Sequence, residues 1–135
     1  MSKSSFDIVQ PKHWTAPKGY ANAIAAQGRQ IFIAGQIGWN AQGQFESDDF
    51  VVQVEQALKN IVEVLAAAGC EPRHLVRLNW YVTDKTEYAA RQDEIGTVYR
   101  RLIGRHFPAM TLVVVAGLLE PRAKVEIEGT AIIAD

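Results

Sequence analysis

The sequence predicts an α+β fold in which two helices pack on one face of a β-sheet. Three observations carry that prediction. Val51, Val54, Leu58, Ile61, Leu65 and Ala68 recur at steps of three and four, the period of a helix with one buried side. Residues 110–119 are nearly all apolar, with Val113, Val114 and Val115 at the centre, and such a run wants cover on both faces. Residues 124–133 alternate instead, with Val125 and Ile127 on one side of a strand and Glu126 and Glu128 on the other.

Each element follows from local signals. Residues 1–19 read as irregular, broken by Pro11 and Pro17, with 6–9 available as an edge strand. Residues 22–26 and 29–37 read as a hairpin turning at Gln27-Gly28. Gly35, Gly38 and Gly43 interrupt the chain through Phe45. Ser47 can cap the first helix, Asp48 and Asp49 favour its positive end, and Gly69 and Pro72 stop it. A strand follows over 75–83. Asp84, with Glu87 three residues on, resembles a capping box. Tyr88, Gln92, Ile95, Tyr99 and Leu102 then mark one stripe of a second helix that Gly104 ends. Gly96 inside this helix costs about 1 kcal/mol relative to alanine, which points to a close contact at its backbone. The order is β-β-α-β-α-β-β in a single domain, 1–135. Two helices cover one face only, leaving Trp80, Val114 and their neighbours in need of a partner. A homo-oligomer is therefore expected.

Composition narrows the class. A chain of 135 residues suits one compact domain, and 48% hydrophobic with 21% charged residues describes an ordered protein. A net charge of −1 offers no general pull toward nucleic acid or an anionic membrane. No apolar stretch reaches transmembrane length, and residues 1–7 lack the apolar core of a signal peptide. Cys70 is the sole cysteine, so no intrachain disulfide forms. Together these features imply a reducing, cytoplasmic setting.

The clearest trace of chemistry is the pair of strand glutamates. If strands 110–119 and 124–133 pair, one carboxylate lies beside heavily buried sheet. Desolvation there raises its pKa and lets it exchange protons near neutral pH. The plainer alternative is that both glutamates face water on an open side. His13, His74 and His106 fit no metal-ligand spacing, and no phosphate-loop motif follows the glycines at 35, 38 and 43. No metal site is expected. Cys70 lies past a helix C-terminus, where the dipole disfavours a thiolate. Arg100, Arg101, Arg105 and His106 cluster at a helix end, where cations are favoured on structural grounds alone. Trp39, in a glycine-flanked loop, is the tryptophan best placed to touch a ligand.

Ile33-Ala34-Gly35-Gln36-Ile37, Phe107-Pro108-Ala109 and Val125-Glu126-Ile127-Glu128 stand in an order and spacing that resembles the RidA/YjgF family of reactive-intermediate deaminases. The resemblance runs from about Tyr20 to the end of the chain. It implies a chorismate-mutase-like homotrimer, with mixed sheets inside, helices outside and clefts between subunits. It also implies cofactor-free hydrolysis of a small imine or enamine to a carbonyl compound and ammonia. In that pattern Glu126 matches the glutamate that handles the attacking water. Tyr20 matches a cleft-lining tyrosine, Gly35 a glycine beside the substrate, and Gln92 stands where asparagine is common.

Three positions depart from the pattern. Met110 replaces an arginine that clamps the substrate carboxylate bidentately. Leu112 replaces a common cysteine, and Ala34 a common serine or threonine. Losing a charge-assisted pair costs about 1.5–3 kcal/mol of binding, so the expected substrate is not a simple 2-iminoacid. Arg122 and Arg91 are candidates for a relocated anion contact. Two other roles are compatible with the resemblance: a non-catalytic small-ligand-binding or regulatory trimer, and a ribonuclease or translation inhibitor. The near-neutral charge and the lack of an aromatic-basic stripe disfavour the last.

Overall fold

The computed structural model describes residues 6–134. Strands β1 (Phe6–Val9) and β2 (Ala23–Ala26) form an antiparallel ribbon, with Phe6 opposite Ala26 and Val9 opposite Ala23. Residues 6–9 thus take the edge-strand role open to them. The hairpin expected between residues 22–26 and β3 (Arg29–Ile37) does not form: β2 pairs with β1 in a separate two-stranded sheet, and β3 pairs with the last strand of the chain. The chain just before β2 is tied elsewhere. The Ala21 N–H donates to the Pro108 carbonyl at 3.0 Å, and Ala21 bridges Ala109, at the edge of the main sheet opposite β3.

Helix α1 (Phe50–Ala67) is capped by Asp49 rather than Ser47. The Asp49 carboxylate accepts from the Val52 N–H, while Ser47 Oγ accepts from the N–H of Asp49 itself. The helix ends at Gly69, whose φ of +76° is the left-handed conformation that glycine adopts without strain. The Cys70 N–H there reaches back to the Leu65 carbonyl at 2.8 Å. A short 3-10 turn (Pro72–His74) leads into β4 (Leu75–Val82). The second helical segment comes in two pieces, α2 (Lys85–Ala90) and α3 (Gln92–Leu102), hinged at Arg91, where φ is −119° and ψ is 24°. Asp84 caps α2 as expected, accepting from the Glu87 N–H at 3.0 Å. Strands β5 (Ala109–Val114) and β6 (Val125–Ile133) complete the chain.

The main sheet is mixed, in the order β3-β6-β4-β5. β6 is antiparallel to both neighbours and β4 is parallel to β5. The last two strands, whose pairing would have brought Glu126 or Glu128 beside the apolar run, are separated by β4, and β5 becomes an edge. β5 is also shorter than the apolar run. Val115 still donates to the Val82 carbonyl at 2.8 Å, but β4 ends there and the chain leaves the sheet toward Leu119, which is 96% exposed.

Val54, Ala57, Leu58, Ile61 and Leu65 of α1 are fully buried against Leu78, Val82, Val125, Ile127 and Ala131. Burial of side chains of this size stabilises the fold by about 1.5–3 kcal/mol each. Trp80 also lies on this helix-covered face, paired with Ile127 and 3% exposed, and not on the open face where the oligomer argument placed it. The alternation of β4 decides this, since Leu78, Trp80 and Val82 share one side, and Arg77, Asn79 and Tyr81 the other. The open face instead displays Phe32, 75% exposed, and the row of Tyr81, Glu126 and Glu128. No helix among the described residues is long and apolar enough to cross a membrane.

Two amides on α1, the buried Gln53 and the half-buried Asn60, fix the strand ends. Gln53 Nε2 donates to the carbonyls of Ser47 (3.1 Å) and Arg122 (3.0 Å), and its Oε1 accepts from the Lys124 N–H at 2.8 Å. Asn60 Nδ2 donates to the carbonyls of Ile37 and Trp39 at the end of β3. The two amides set where β3 ends and where β6 begins.

Candidate functional site

Strand alternation and register divide the candidate residues between the two faces of the sheet. Odd-numbered residues of β6, from Val125 to Ala131, are buried under the helices, so Glu126 and Glu128 project from the open face, each half-buried. Glu126 lies opposite Tyr81 on one side and Ile37 on the other. Its carboxylate rests on the backbone of β3 at a register shift between Ile33 and Gln36. A Cβ on Gly35 would sit 1.9 Å from Glu126 Oε2, so only glycine admits this carboxylate position. Ala34, the preceding residue, is exposed, and its carbonyl accepts from Gln36 Nε2 at 3.1 Å.

Sequence reasoning missed the partners of these glutamates. The Tyr81 hydroxyl donates to Glu128, and this bond, with the nearby charges of Glu128 and Glu126, holds the phenol above its ordinary pKa. Asn79, opposite Glu128, has a buried Oδ1 with no hydrogen-bond partner among the described residues. The polar alternation Arg77, Asn79, Tyr81 was the available signal. It needed the strand order to become meaningful.

The other candidates lie across the sheet. Met110 is in register with Leu78 and Leu112 with Trp80, which turns both toward the helix layer. Met110 and Gln92 line a cavity of about 390 Å³ between α3 and β5, whose walls include Trp80, Tyr99 and Phe107. Leu112 packs against the core beside it. Tyr20 lines a neighbouring cavity of about 320 Å³ with Pro17, Ala21 and Phe107, while Lys18 and Gly19 reach the larger one. The Ala21–Pro108 hydrogen bond places Tyr20 beside Phe107-Pro108-Ala109. Trp39 lies in neither cavity; it packs against Phe45 with ring centroids 6.2 Å apart.

Glu126 and Gly35 therefore form one group and Met110 and Gln92 another, on opposite sides of one sheet, with Tyr20 in the neighbouring cavity. The proposed relocated anion contacts are engaged elsewhere. Arg91 binds Asp49 at 2.6 Å and Glu94 at 2.8 Å, and Arg122 binds Asp48 at 2.8 Å while stacking over Phe45. The basic cluster is split. Arg101 pairs with Glu55, His106 contacts the Leu75 carbonyl through Nε2, and Arg100 lines the larger cavity. His74 is buried, and its Nδ1 accepts from the Glu71 N–H at 2.9 Å.

Residues 11–133 match the family model described as Endoribonuclease L-PSP. A 2-iminobutanoate/2-iminopropanoate deaminase from Capra hircus is 36% identical over 115 residues, covering 84% of this chain and 79% of the relative. The protein of the same description from Homo sapiens is 32% identical over 114 residues, again covering 84% of this chain and 79% of the relative. Among solved structures, YyfB from Yersinia pestis, of the conserved Rid protein family, matches with a TM-score of 0.85 at 31% identity. That match covers 96% of this chain and 99% of the other. A mixed sheet with helices on one face and these matches along most of the sequence agree: the chain belongs to the RidA/YjgF family, also described as Endoribonuclease L-PSP.

Proposed function

We propose that the protein is a cofactor-free hydrolase that converts a small imine or enamine to a carbonyl compound and ammonia. Its substrate is other than a simple 2-iminoacid. The observation that carries this reading is the seating of Glu126, whose carboxylate occupies space that any side chain at position 35 would fill. A carboxylate held in this way is pre-positioned for proton transfer. Glu126 accepts a proton from water as the water oxygen attacks the C=N carbon. The C=N π electrons move to nitrogen, which takes up a proton. The proton held by Glu126 then passes to the amino nitrogen of the tetrahedral carbinolamine, the C–N bond breaks, ammonia leaves, and the remaining hydroxyl proton is lost as the C=O forms.

Association of copies supplies the rest of the site in this reading. The open face of one chain, with Phe32 and Glu126, meets the cavity of the next, with Met110 and Gln92. A homotrimer with three such clefts buries the exposed Phe32 and surrounds the carboxylate with apolar wall, which sharpens its electrostatics. Met110 offers no charge to a carboxylate at its position, which is why short 2-iminoacids are set aside. The relatives described as 2-iminobutanoate/2-iminopropanoate deaminases support the reaction type.

The test is ammonia release from a panel of imines and enamines by the parent and by Glu126→Gln. The variant is expected to lose roughly 100-fold or more in turnover, with an unchanged melting temperature and assembly state. Undiminished turnover removes Glu126 from the mechanism. Ligand-induced thermal stabilisation of the parent without any product marks a binding protein instead.

A further inference from the structure

We propose that the cavity between α3 and β5 takes a carboxylate ligand with an apolar or aromatic body, and that Arg100 selects for the charge of that ligand. The proposal deepens the imine-hydrolase reading and rests on it for what becomes of the ligand, though not for its binding.

Charge is the first argument. The lining of the cavity includes two cations, Lys18 and Arg100, and no aspartate or glutamate. Its other walls are largely aromatic and aliphatic. Tyr99 and Phe107 stack with centroids 5.5 Å apart and planes 12° from parallel, beside Trp80, Ile95 and Met110. An anion with an apolar body satisfies both kinds of surface, and the volume of about 390 Å³ lies in the range of small-molecule sites.

Availability is the second argument. Arg91, Arg101 and Arg122 are each committed to carboxylates of their own chain. Arg100 has no hydrogen-bond or ion-pair partner among the described residues. A guanidinium is suited to grip a carboxylate through two parallel N–H donors.

Placement is the third. Gly96 stands one turn before Arg100 on α3, and a Cβ there would lie 3.1 Å from Arg100 Nη1. The missing side chain lets the guanidinium lie along the helix at the cavity wall. Gly96, a poor helix former within a helix, thereby acquires a role. The positive charge absent from position 110 on β5 is available from α3, at a different place in the cavity. That displacement fits a substrate larger than the short 2-iminoacids. The Trp80 indole Nε1–H, in the same wall, also lacks a hydrogen-bond partner among the described residues.

The experiment uses the full chain with two probes, 2-oxo-4-phenylbutanoate and its neutral amide. Binding is measured by calorimetry and by tryptophan emission, with Trp80→Phe identifying the part of the signal that arises in the cavity. The parent is expected to hold the carboxylate at least about tenfold more tightly than the amide. Arg100→Gln should abolish that preference with amide binding unchanged, and Arg100→Lys should restore part of it. The preference should weaken as salt is raised. Equal preference in the parent and Arg100→Gln, or no saturable binding of the carboxylate to the parent at millimolar concentration, overturns the proposal. Glu126→Gln separates the two readings. The variant removes a negative charge that the facing copy brings to the cavity and leaves Arg100 in place, so it keeps or raises the carboxylate preference even where turnover is lost. If instead Glu126→Gln turns over normally while Arg100→Gln loses charge selection, the hydrolase mechanism fails and the binding site stands.

Discussion

Under α1, Val54, Leu58, Ile61 and Leu65 meet Val125 and Ile127 with every one of these side chains removed from water. One residue further along β6, on the other face of the same strand, Glu126 and Glu128 sit half-exposed, and Phe32 projects nearby on β3. Beneath α1 the covered face is complete within a single chain. Asp49 caps α1, Asp84 caps α2, and the amides of Gln53 and Asn60 find partners. The open face is incomplete, with apolar surface beside carboxylates, a tyrosine whose proton Glu128 holds and an Asn79 oxygen without a partner among the described residues. The same backbone thus carries stability on one side and unmet chemical demand on the other. Substitutions on the two sides should report on different properties.

The largest effect on folding belongs to the covered face. Leu58→Ala should lower the unfolding free energy by about 2–5 kcal/mol in a denaturant titration. A loss below about 1 kcal/mol would mean that the α1 interface is not where stability resides. Next comes Gly35→Ala on the open face. The new methyl displaces the Glu126 carboxylate, a flexible side-chain end, so turnover should fall roughly tenfold or more while stability changes by less than about 1 kcal/mol. Full activity in this variant would show that the observed carboxylate position is not the working one. Phe32→Ser probes the apolar part of the same face. It should weaken association by about 1.5–3 kcal/mol per copy, visible as dissociation in sedimentation at micromolar concentration, with helix content preserved. An unchanged assembly would place the subunit contacts elsewhere.

The smallest effect concerns acid. Burial, helped by the neighbouring Arg73, lowers the pKa of His74 below its ordinary 6.5. The unfolded chain therefore binds the proton more readily than the folded one. The neutral ring contributes its stability above about pH 6.5, and that contribution is lost as pH falls through the lower folded value. Protonation also takes away the Nδ1 acceptor used by the Glu71 N–H. His74→Gln should flatten the fall in melting temperature below pH 6.5, and an identical profile in both proteins would assign the acid sensitivity to other groups.

Local patterns revealed the elements more readily than their neighbours. The spacing from Val51 to Leu65 specified α1, and the alternation of Val125, Ile127, Glu126 and Glu128 specified β6, because both signals are contained in one segment. Strand order is a long-range property. Consecutive strands usually pair, yet β4 inserts between β5 and β6, and β2 joins β1 rather than β3. The cap fell on Asp49 within a run of three residues that can all cap. Trp80 was placed on the wrong face although Arg77 and Asn79 already marked the polar side of its strand. For the site, Glu126 and Gly35 were legible as a resemblance. Tyr81 and the Arg100–Gly96 arrangement were not, since each depends on packing between segments distant in sequence or on a side chain folding back along its helix.

Gln53 has a consequence for how this protein can diversify. Its amide grips the chain at Arg122 and Lys124, while Val115 is fastened to Val82. Everything between those two clamps, including the solvent-facing Leu119, is free to lengthen or change sequence without dragging β6 out of line. The loop can be rewritten for a new partner or ligand while the acid two residues beyond the second clamp keeps its station.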